Sequence, residues 1–441
     1  MKRIRVLVVM VFLTISQTLQ PAFATEKISS VPSPEMRGVL TLDRVIVEVL
    51  LKNPSLQAFS LEVRAREARM LQAGMWPNPQ LQIQAEDITG TGQFDSFRNT
   101  QTTVQLSQRI RLGGKIAKTE RVAELSKDLA QWDYEITRMN ILTRTGQAFI
   151  DVLKSQEQMK LAENLVLLAD TNLKVVTLRA ESGKVSPVQV VKAKVARSKT
   201  QLEINKARNK IEAARRRLSI TWAESSPGFE GVLGDFFRVD TLPSYESLLT
   251  RLGKNPNLER WAAEISHRQA KIELEESKAI PDLQLQGAYR RIEDQQANTL
   301  VLGINIPLNI FDRNQGGILE ARHRREKADA EQSAIRLQLQ SRLADIYTRL
   351  SNAHQQATTL KQNILPGARK AFDAVQEGYR YGKFGLIDVL DSQRTLFESR
   401  SSYLEALGNY HKAVLDIERI IGAPLSSHGS IRIKQEGKPK S

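Results

Sequence analysis

Four short stretches of this chain alternate aliphatic and polar residues with a period of two, the pattern of strands that show a different character on each face. Leu81, Ile83 and Ala85 alternate with Gln82, Gln84 and Glu86, and Val104 and Leu106 with Gln105 and Ser107. Leu283 and Leu285 alternate with Gln284 and Gln286, and Ile304, Ile306 and Leu308 with Asn305, Pro307 and Asn309. The predicted strands cover 79–88, 101–111, 281–291 and 299–310. Each pair is followed by a stretch whose apolar residues step by three and four. The first of these, 115–182, holds no proline and one glycine, Gly146, and as a single helix would be about 100 Å long. Its Val122, Leu125, Leu129, Trp132, Ile136 and Met139 trace a coiled-coil seam. A turn at Gly183-Lys184 and Pro187 near the next N-terminus predict a return helix over 187–221. The later half repeats the scheme, with helices over 315–381 and 386–421. Pro366-Gly367 is expected to kink or break the first of them.

That recurrence is a tandem duplication. Lys52-Asn53-Pro54-Ser55-Leu56 returns as Lys254-Asn255-Pro256-Asn257-Leu258, an offset of 254 − 52 = 202. Pro79-Gln80-Leu81-Gln82 returns as Pro281-Asp282-Leu283-Gln284 at 281 − 79 = 202, and the turn glycines pair at 382 − 183 = 199. The copies are 41–222 and 242–423, joined by a linker over 223–241. Before them lie a secretory signal, 1–24, and an extension, 25–40. Lys2, Arg3 and Arg5, an apolar run, then Ala22 and Ala24 in the A-x-A order predict cleavage after Ala24. The stretch 424–441 reads as a disordered basic tail.

Composition narrows the chemistry. The absence of cysteine excludes disulfides, a thiolate site and an acylated N-terminal cysteine. The formal charge of +15 falls to 15 − 3 = 12 after loss of the signal. It is spread along helical segments, which does not suit a nucleic-acid partner. The five histidines are scattered, so no metal site is expected, and no phosphate-loop or dinucleotide fingerprint appears. Leu112-Gly113-Gly114-Lys115 reads as the turn from strand into long helix. Neither an enzyme nor a cofactor is expected.

A soluble sheet packed on helices would show the same strand alternation, but three features point to a membrane. The runs are about 10 residues, the length of a tilted spanning strand. Their polar face is Gln and Asn, suited to a water-filled lumen, and longer polar loops, 89–100 and 292–298, join the strands of each pair. Lipid tolerates no unpaired strand edge, so four strands need other copies to close them. Two copies would make a filled eight-stranded barrel and three a twelve-stranded one with room for a channel. The lipid-facing set is then Leu81, Ile83, Val104, Leu106, Leu283, Leu285, Ile304 and Ile306. Trp76 would lie in an aromatic belt, and Arg109, Arg111, Arg290 and Arg291 near headgroups.

Over 41–423 the chain resembles the TolC family of outer-membrane efflux proteins. The resemblance rests on the duplicated element order, the twin Asn-Pro marks and Tyr381-Gly382-Lys383-Phe384-Gly385-Leu386-Ile387-Asp388-Val389-Leu390-Asp391-Ser392-Gln393. Trp76-Pro77-Asn78-Pro79 with Leu106-Ser107-Gln108 through Leu112-Gly113-Gly114-Lys115 is similar to its cobalt-zinc-cadmium branch. The resemblance implies a mainly α fold with a small β part. It also implies a homotrimer whose twelve-stranded barrel sits in outer-membrane lipid and continues as a periplasmic helical barrel. The partners it implies are a periplasmic adaptor and an inner-membrane pump of the resistance-nodulation-division type. The chain would be the passive conduit of that tripartite system, for metal cations or other small toxic solutes. The family's adaptor-contacting tips correspond to Gly183, Lys184, Gly382, Lys383 and Phe384. Two alternatives stay open, a type I protein-secretion duct and a soluble periplasmic coiled-coil adaptor or scaffold.

Overall fold

The computed structural model describes residues 36–94 and 97–425. The predicted signal with Ala22 and Ala24, the extension up to residue 35 and the tail beyond residue 425 lie outside the described residues. From Gly38 on, the fold is mostly helical with one four-stranded sheet. The first copy runs β1 (Val39–Leu40), α1 (Leu42–Lys52), α2 (Pro54–Ala73), β2 (Gln80–Glu86), β3 (Gln101–Ile110), α3 (Lys115–Glu181) and α4 (Pro187–Ile220). After β4 (Gly231–Val232), the second runs α5 (Tyr245–Arg251), α6 (Pro256–Lys278), β5 (Leu283–Ile292), β6 (Ala297–Asn305), α7 (Gln315–Thr359), α8 (Leu365–Arg380) and α9 (Leu386–Ile421).

The repeated Asn-Pro pairs are helix starts that double as clasps. Asn53 caps α2, its Oδ1 accepting from the N–H groups of Ser55 and Leu56 at 3.0 and 3.3 Å, while Pro54 fills the first helical position, where an N–H would lack a partner anyway. The amide of Asn53 also donates to the Thr221 carbonyl just past α4, at 2.8 Å. Asn255 does the same for α6, accepting from Asn257 at 2.8 Å and donating to the Ile420 carbonyl of α9 at 2.6 Å. Each copy thereby ties its second helix to its own end, with the Asn255 pair fully enclosed (2% exposed). Burial makes such a bond costly to lose.

α3 is one uninterrupted helix of 67 residues, close to 100 Å at 1.5 Å per residue, with about that rise. Its far half packs against α4 through small residues at every seventh position. Buried at this spacing are Ser155, Ala162, Ala169 and Val176 on α3, and Ala193, Thr200, Ala207 and Ala214 on α4. Each antiparallel couple sums to 369 (176 + 193, 169 + 200, 162 + 207, 155 + 214), so the seam is symmetric about the turn at 184–185. A strict repeat of seven keeps one stripe facing its partner, and small side chains let the axes approach. Nearer the sheet, Val122 and Leu125 of α3 are buried with Ala270 and Leu274 of α6, whereas Trp132, Ile136 and Met139 are half-buried.

The second copy differs at the predicted kink. The helix is not broken there. It widens into one π turn, Leu360–Ile364, with the Leu365 N–H donating to the Leu360 carbonyl five residues back, and then resumes as α8. A π turn re-sites the hydrogen bonds around a residue that has no N–H to give, which is how Pro366 is carried without ending the helix.

The apolar core lies where the linker crosses the helices. Leu248 of α5, Leu343, Ile346 and Leu350 of α7, and Tyr410, Ile417 and Ile421 of α9 form one buried cluster. Residues 223–241 are pinned to the bundle. The Gln156 side chain of α3 brackets Val232, donating to its carbonyl at 3.0 Å and accepting from its N–H at 2.8 Å. The Asp240 N–H donates to the Tyr410 hydroxyl at 3.0 Å. His411 lies 2.8 Å by its Nε2 from the Phe236 carbonyl, and the two rings are 5.7 Å apart. Burial pushes the His411 pKa down, opposed by that carbonyl and by Asp235 and Asp240. The Glu418 carboxyl, also buried on α9, is pushed up by desolvation while accepting from the Leu425 N–H at 3.0 Å.

Candidate functional site: a two-faced sheet and paired hairpin tips

The sheet runs in the order β2-β3-β5-β6, every neighbour antiparallel. Side chains of cross-strand partners share a face, so the register assigns each residue a side. Leu81 pairs with Leu106 and Ile83 with Val104. Val104 pairs with Tyr289, and Leu283 with Ile110. Leu285 pairs with Ile304, Tyr289 with Leu300, and the Gly287 position with Leu302. One face is thus aliphatic across all four strands. Its side chains are uncovered: Leu302 is 88% exposed, Leu300 80%, Ile304 67% and Ile83 64%.

Of the residues predicted to face lipid, Leu81, Ile83, Val104, Leu106, Leu283, Leu285 and Ile304 fall on this face. Ile306 lies one residue beyond the end of β6. Pro307, which has no N–H for the ladder, follows it, so the strand is shorter than the alternation suggested. Tyr289, Leu300 and Leu302 were not named from sequence, although the alternation reaches back to them.

The opposite face carries Gln82, Gln84, Gln105, Gln284 and Gln286 with Thr103, Ser107 and Ala288. Gln105 donates to Gln286 at 3.3 Å, Gln82 to Gln84 at 3.3 Å, and Gln84 to Glu86 at 2.9 Å. Thr103, Ser107 and Ala288 are buried among these longer chains. Arg109 pairs with Gln284, and Arg290 with Thr103, whose hydroxyl it reaches at 3.1 Å. Both arginines therefore lie on the amide face, opposite the aliphatic one. Arg291 does lie on the aliphatic face, at the loop end of β5 beside Glu293 and Asn298. β2 and β6 are edge strands, their outer edges unpaired among the described residues.

The turn at the base of the sheet uses glycine where the backbone demands it. Gly113 and Gly114 both have left-handed φ, +70° and +68°, and a side chain at Gly113 would strike Ile280. Lys115 then locks the start of α3, its Nζ 2.6 Å from both Asp282 Oδ1 and the Ile280 carbonyl. In the second copy Asn314 takes the left-handed position (φ +57°) and binds Glu275 through its side-chain amide at 2.8 Å.

The two helical turns meet side by side. Val176 and Ala193 of the first hairpin are buried with Tyr379, Leu386 and Val389 of the second. Arg179 donates to the Tyr379 carbonyl and lies over its ring at 4.6 Å. Burial raises the Tyr379 pKa, with the Arg179 charge opposing. Asn172 donates to Gln393 at 2.9 Å. No sequence signal had linked these residues, because they are about 200 positions apart and their periods are those of ordinary helix packing. Gly183 and Gly382 hold left-handed φ of +73° and +77°, and Lys184 and Lys383 each close the turn by donating a backbone N–H five residues back, to Arg179 and Gly378. Both lysine side chains are exposed. Phe384 lies against Gly378, where any Cβ would collide with its ring. Leu386 is buried beneath.

Among the described residues no group of three His, Asp or Glu side chains is arranged to hold a metal, and no helix is long and apolar enough to cross a membrane. The family model described as "Outer membrane efflux protein" matches this chain over residues 45–223 and 250–423. The cobalt-zinc-cadmium resistance protein CzcC of Cupriavidus metallidurans is 35% identical over 389 residues, covering 88% of this chain and 91% of that protein. The nickel-cobalt-cadmium resistance protein NccC of Alcaligenes xylosoxydans xylosoxydans is 24% identical, covering 67% of this chain and 66% of that one. The solved structure of CusC superposes with a TM-score of 0.72 at 15% identity, over 87% of this chain and 92% of that chain.

Proposed function

The chain belongs to the outer membrane efflux protein family, whose members are channels and not enzymes, and from that premise we propose that three copies close their sheets into a twelve-stranded barrel. The observation that carries this reading is the uncovered aliphatic face spanning all four strands, combined with unpaired edges on β2 and β6. Neither feature survives alone in lipid or in water, since lipid forbids the edges and water disfavours the face. Joining β6 of one copy to β2 of the next removes both difficulties. Three fours make twelve strands, enough to leave a lumen lined by the amide face.

The proposed conduit runs from the periplasm to the exterior and is passive, with an inner-membrane pump supplying the energy through an adaptor. Metal cations are the proposed cargo, in keeping with the named roles of CzcC and NccC. A strain lacking this chain is expected to become sensitive to cobalt, zinc or cadmium while retaining protein secretion. The reverse pattern would favour a secretion duct. The protein itself should fractionate with the outer membrane and run on gels as a heat-modifiable oligomer. Recovery as a water-soluble monomer would end the proposal.

The paired tips are the proposed docking point for the adaptor, with Gly183 and Gly382 shaping the turns and Lys184, Lys383 and Phe384 presented outward. Joint charge reversal, Lys184→Glu with Lys383→Glu, should weaken adaptor binding without loss of oligomer. Unchanged binding and efflux would remove these residues from that role.

A further inference from the structure

The register sorts every charge in the sheet, and the sorting is uneven. On the aliphatic face the only charged residue is Arg291, at the loop end. On the amide face each chain carries Arg109, Arg290 and Glu86, a net of 2 − 1 = +1. Arg109 makes no ion pair or side-chain hydrogen bond among the described residues, and it lines a 380 Å³ recess with Lys115, Lys278 and Asp282. That single carboxylate is already engaged, holding Lys115 at 2.6 Å. Among the described residues Arg290 bonds only to the neutral Thr103 hydroxyl. Arg290 pairs with Thr103, six residues along β3 from Arg109, so the two guanidinium levels are about 20 Å apart. The positions between them are amides, the Ser107 hydroxyl and the uncharged Ala288, Val301 and Gly303, with no carboxylate.

We infer that the barrel interior discriminates against free cations: two rings of arginine, Arg109 near the helical end and Arg290 near the loop end, make it a pathway that anions and neutral solutes enter more readily. The inference rests on the reading that three copies close the sheet with its amide face inward. Closure turns each arginine into a ring of three, and a narrow pore with low-dielectric walls concentrates the field of such rings. A divalent metal then crosses this stretch with its charge compensated by anions.

The chain has no cysteine, so single substitutions can report on the field. Gln105→Cys, on the amide face between the rings, is exposed to an anionic sulfonatoethyl and a cationic trimethylammonium-ethyl thiosulfonate applied outside intact cells, with rates normalised to a free thiol. The adjacent Leu106→Cys reports on the aliphatic face. We expect Gln105→Cys to favour the anionic reagent. That preference should drop about threefold or more when Arg109→Gln and Arg290→Gln are added, and shrink in high salt. Modification with no anionic preference, or a preference untouched by the arginine changes, overturns the inference and leaves the closed barrel standing. Failure of both reagents to reach Gln105→Cys overturns the inference and the inward amide face together.

Discussion

The last helices of the two copies, α4 and α9, descend from one duplicated segment yet sit in opposite surroundings. α4 buries chiefly Ala193, Thr200, Ala207 and Ala214 along one narrow stripe, and leaves Val188, Val191, Val195 and Leu202 exposed. α9 is enclosed on several sides, burying Leu396, Tyr403, Leu407, Tyr410, Ile417 and Ile421 among others. The linker is strapped across it at Tyr410 and His411. The copies thus share hydrogen-bonded clasps and turns but not roles. α3 and α4 form a hairpin joined along a seam of mostly small residues, while α9 is the central post against which α3, α7 and the linker pack. The same contrast marks the long helices, one unbroken and the other interrupted by a π turn. Duplication fixed the backbone plan, and side-chain size then divided the labour.

The sharpest test of that asymmetry places proline where only one copy is built for it. Leu167 corresponds to Pro366 at 366 − 167 = 199 and is 68% exposed, so Leu167→Pro removes little packing. Lacking a π turn, α3 should lose about 3 kcal/mol or more, seen as a fall in the melting temperature of the oligomer. Pro366→Ala should change it by less than about 1 kcal/mol, because the π turn already satisfies the backbone. Equal tolerance in both copies would contradict the division. A second test asks where the copies stay equivalent. Ile83→Arg and Leu285→Arg, related by 285 − 83 = 202, should each cost about 2–4 kcal/mol if both meet hydrocarbon at mid-depth, read as loss of heat-modifiable oligomer. Gln286→Arg, on the amide face, should assemble normally.

The smallest effect concerns His411, whose counterpart in α4 at 411 − 199 = 212 is Glu212, set beside Arg215. Burial depresses the His411 pKa, so the unfolded chain takes up its proton first. Its stabilising contribution is present above about pH 6.5 and lost as pH falls. The melting temperature should therefore decline below that pH, and more gently in His411→Asn. Identical slopes would remove the histidine from the account.

Much of this architecture was legible because its signals are local and repeated. Period-two alternation at Leu81, Ile83, Leu283 and Leu285 marked strands, and Gly183 and Gly382 marked turns that need left-handed backbone. The observed elements lie within a few residues of the expected ranges, with the largest difference at the end of β6. What stayed hidden depends on register and on pairing between distant segments. The face chosen by Arg109 and Arg290 follows from which residue each opposes across the sheet, and the Arg179–Tyr379 contact joins helices about 200 residues apart. The π turn at Leu360–Ile364 was also beyond reach, since proline announces a disturbance but not how the helix absorbs it.

The asparagine clasps bear on how the protein is made. Asn53 joins the first copy to its own far end, so that half can close its helical frame while the remainder is still crossing the inner membrane. Its strands cannot be completed so early, because β3 finds its central partner only in β5. A half-finished chain in the periplasm therefore holds a clasped helical frame that still lacks its central post, and an unsatisfied, greasy hairpin, the part a holding chaperone would have to shield until the second half arrives.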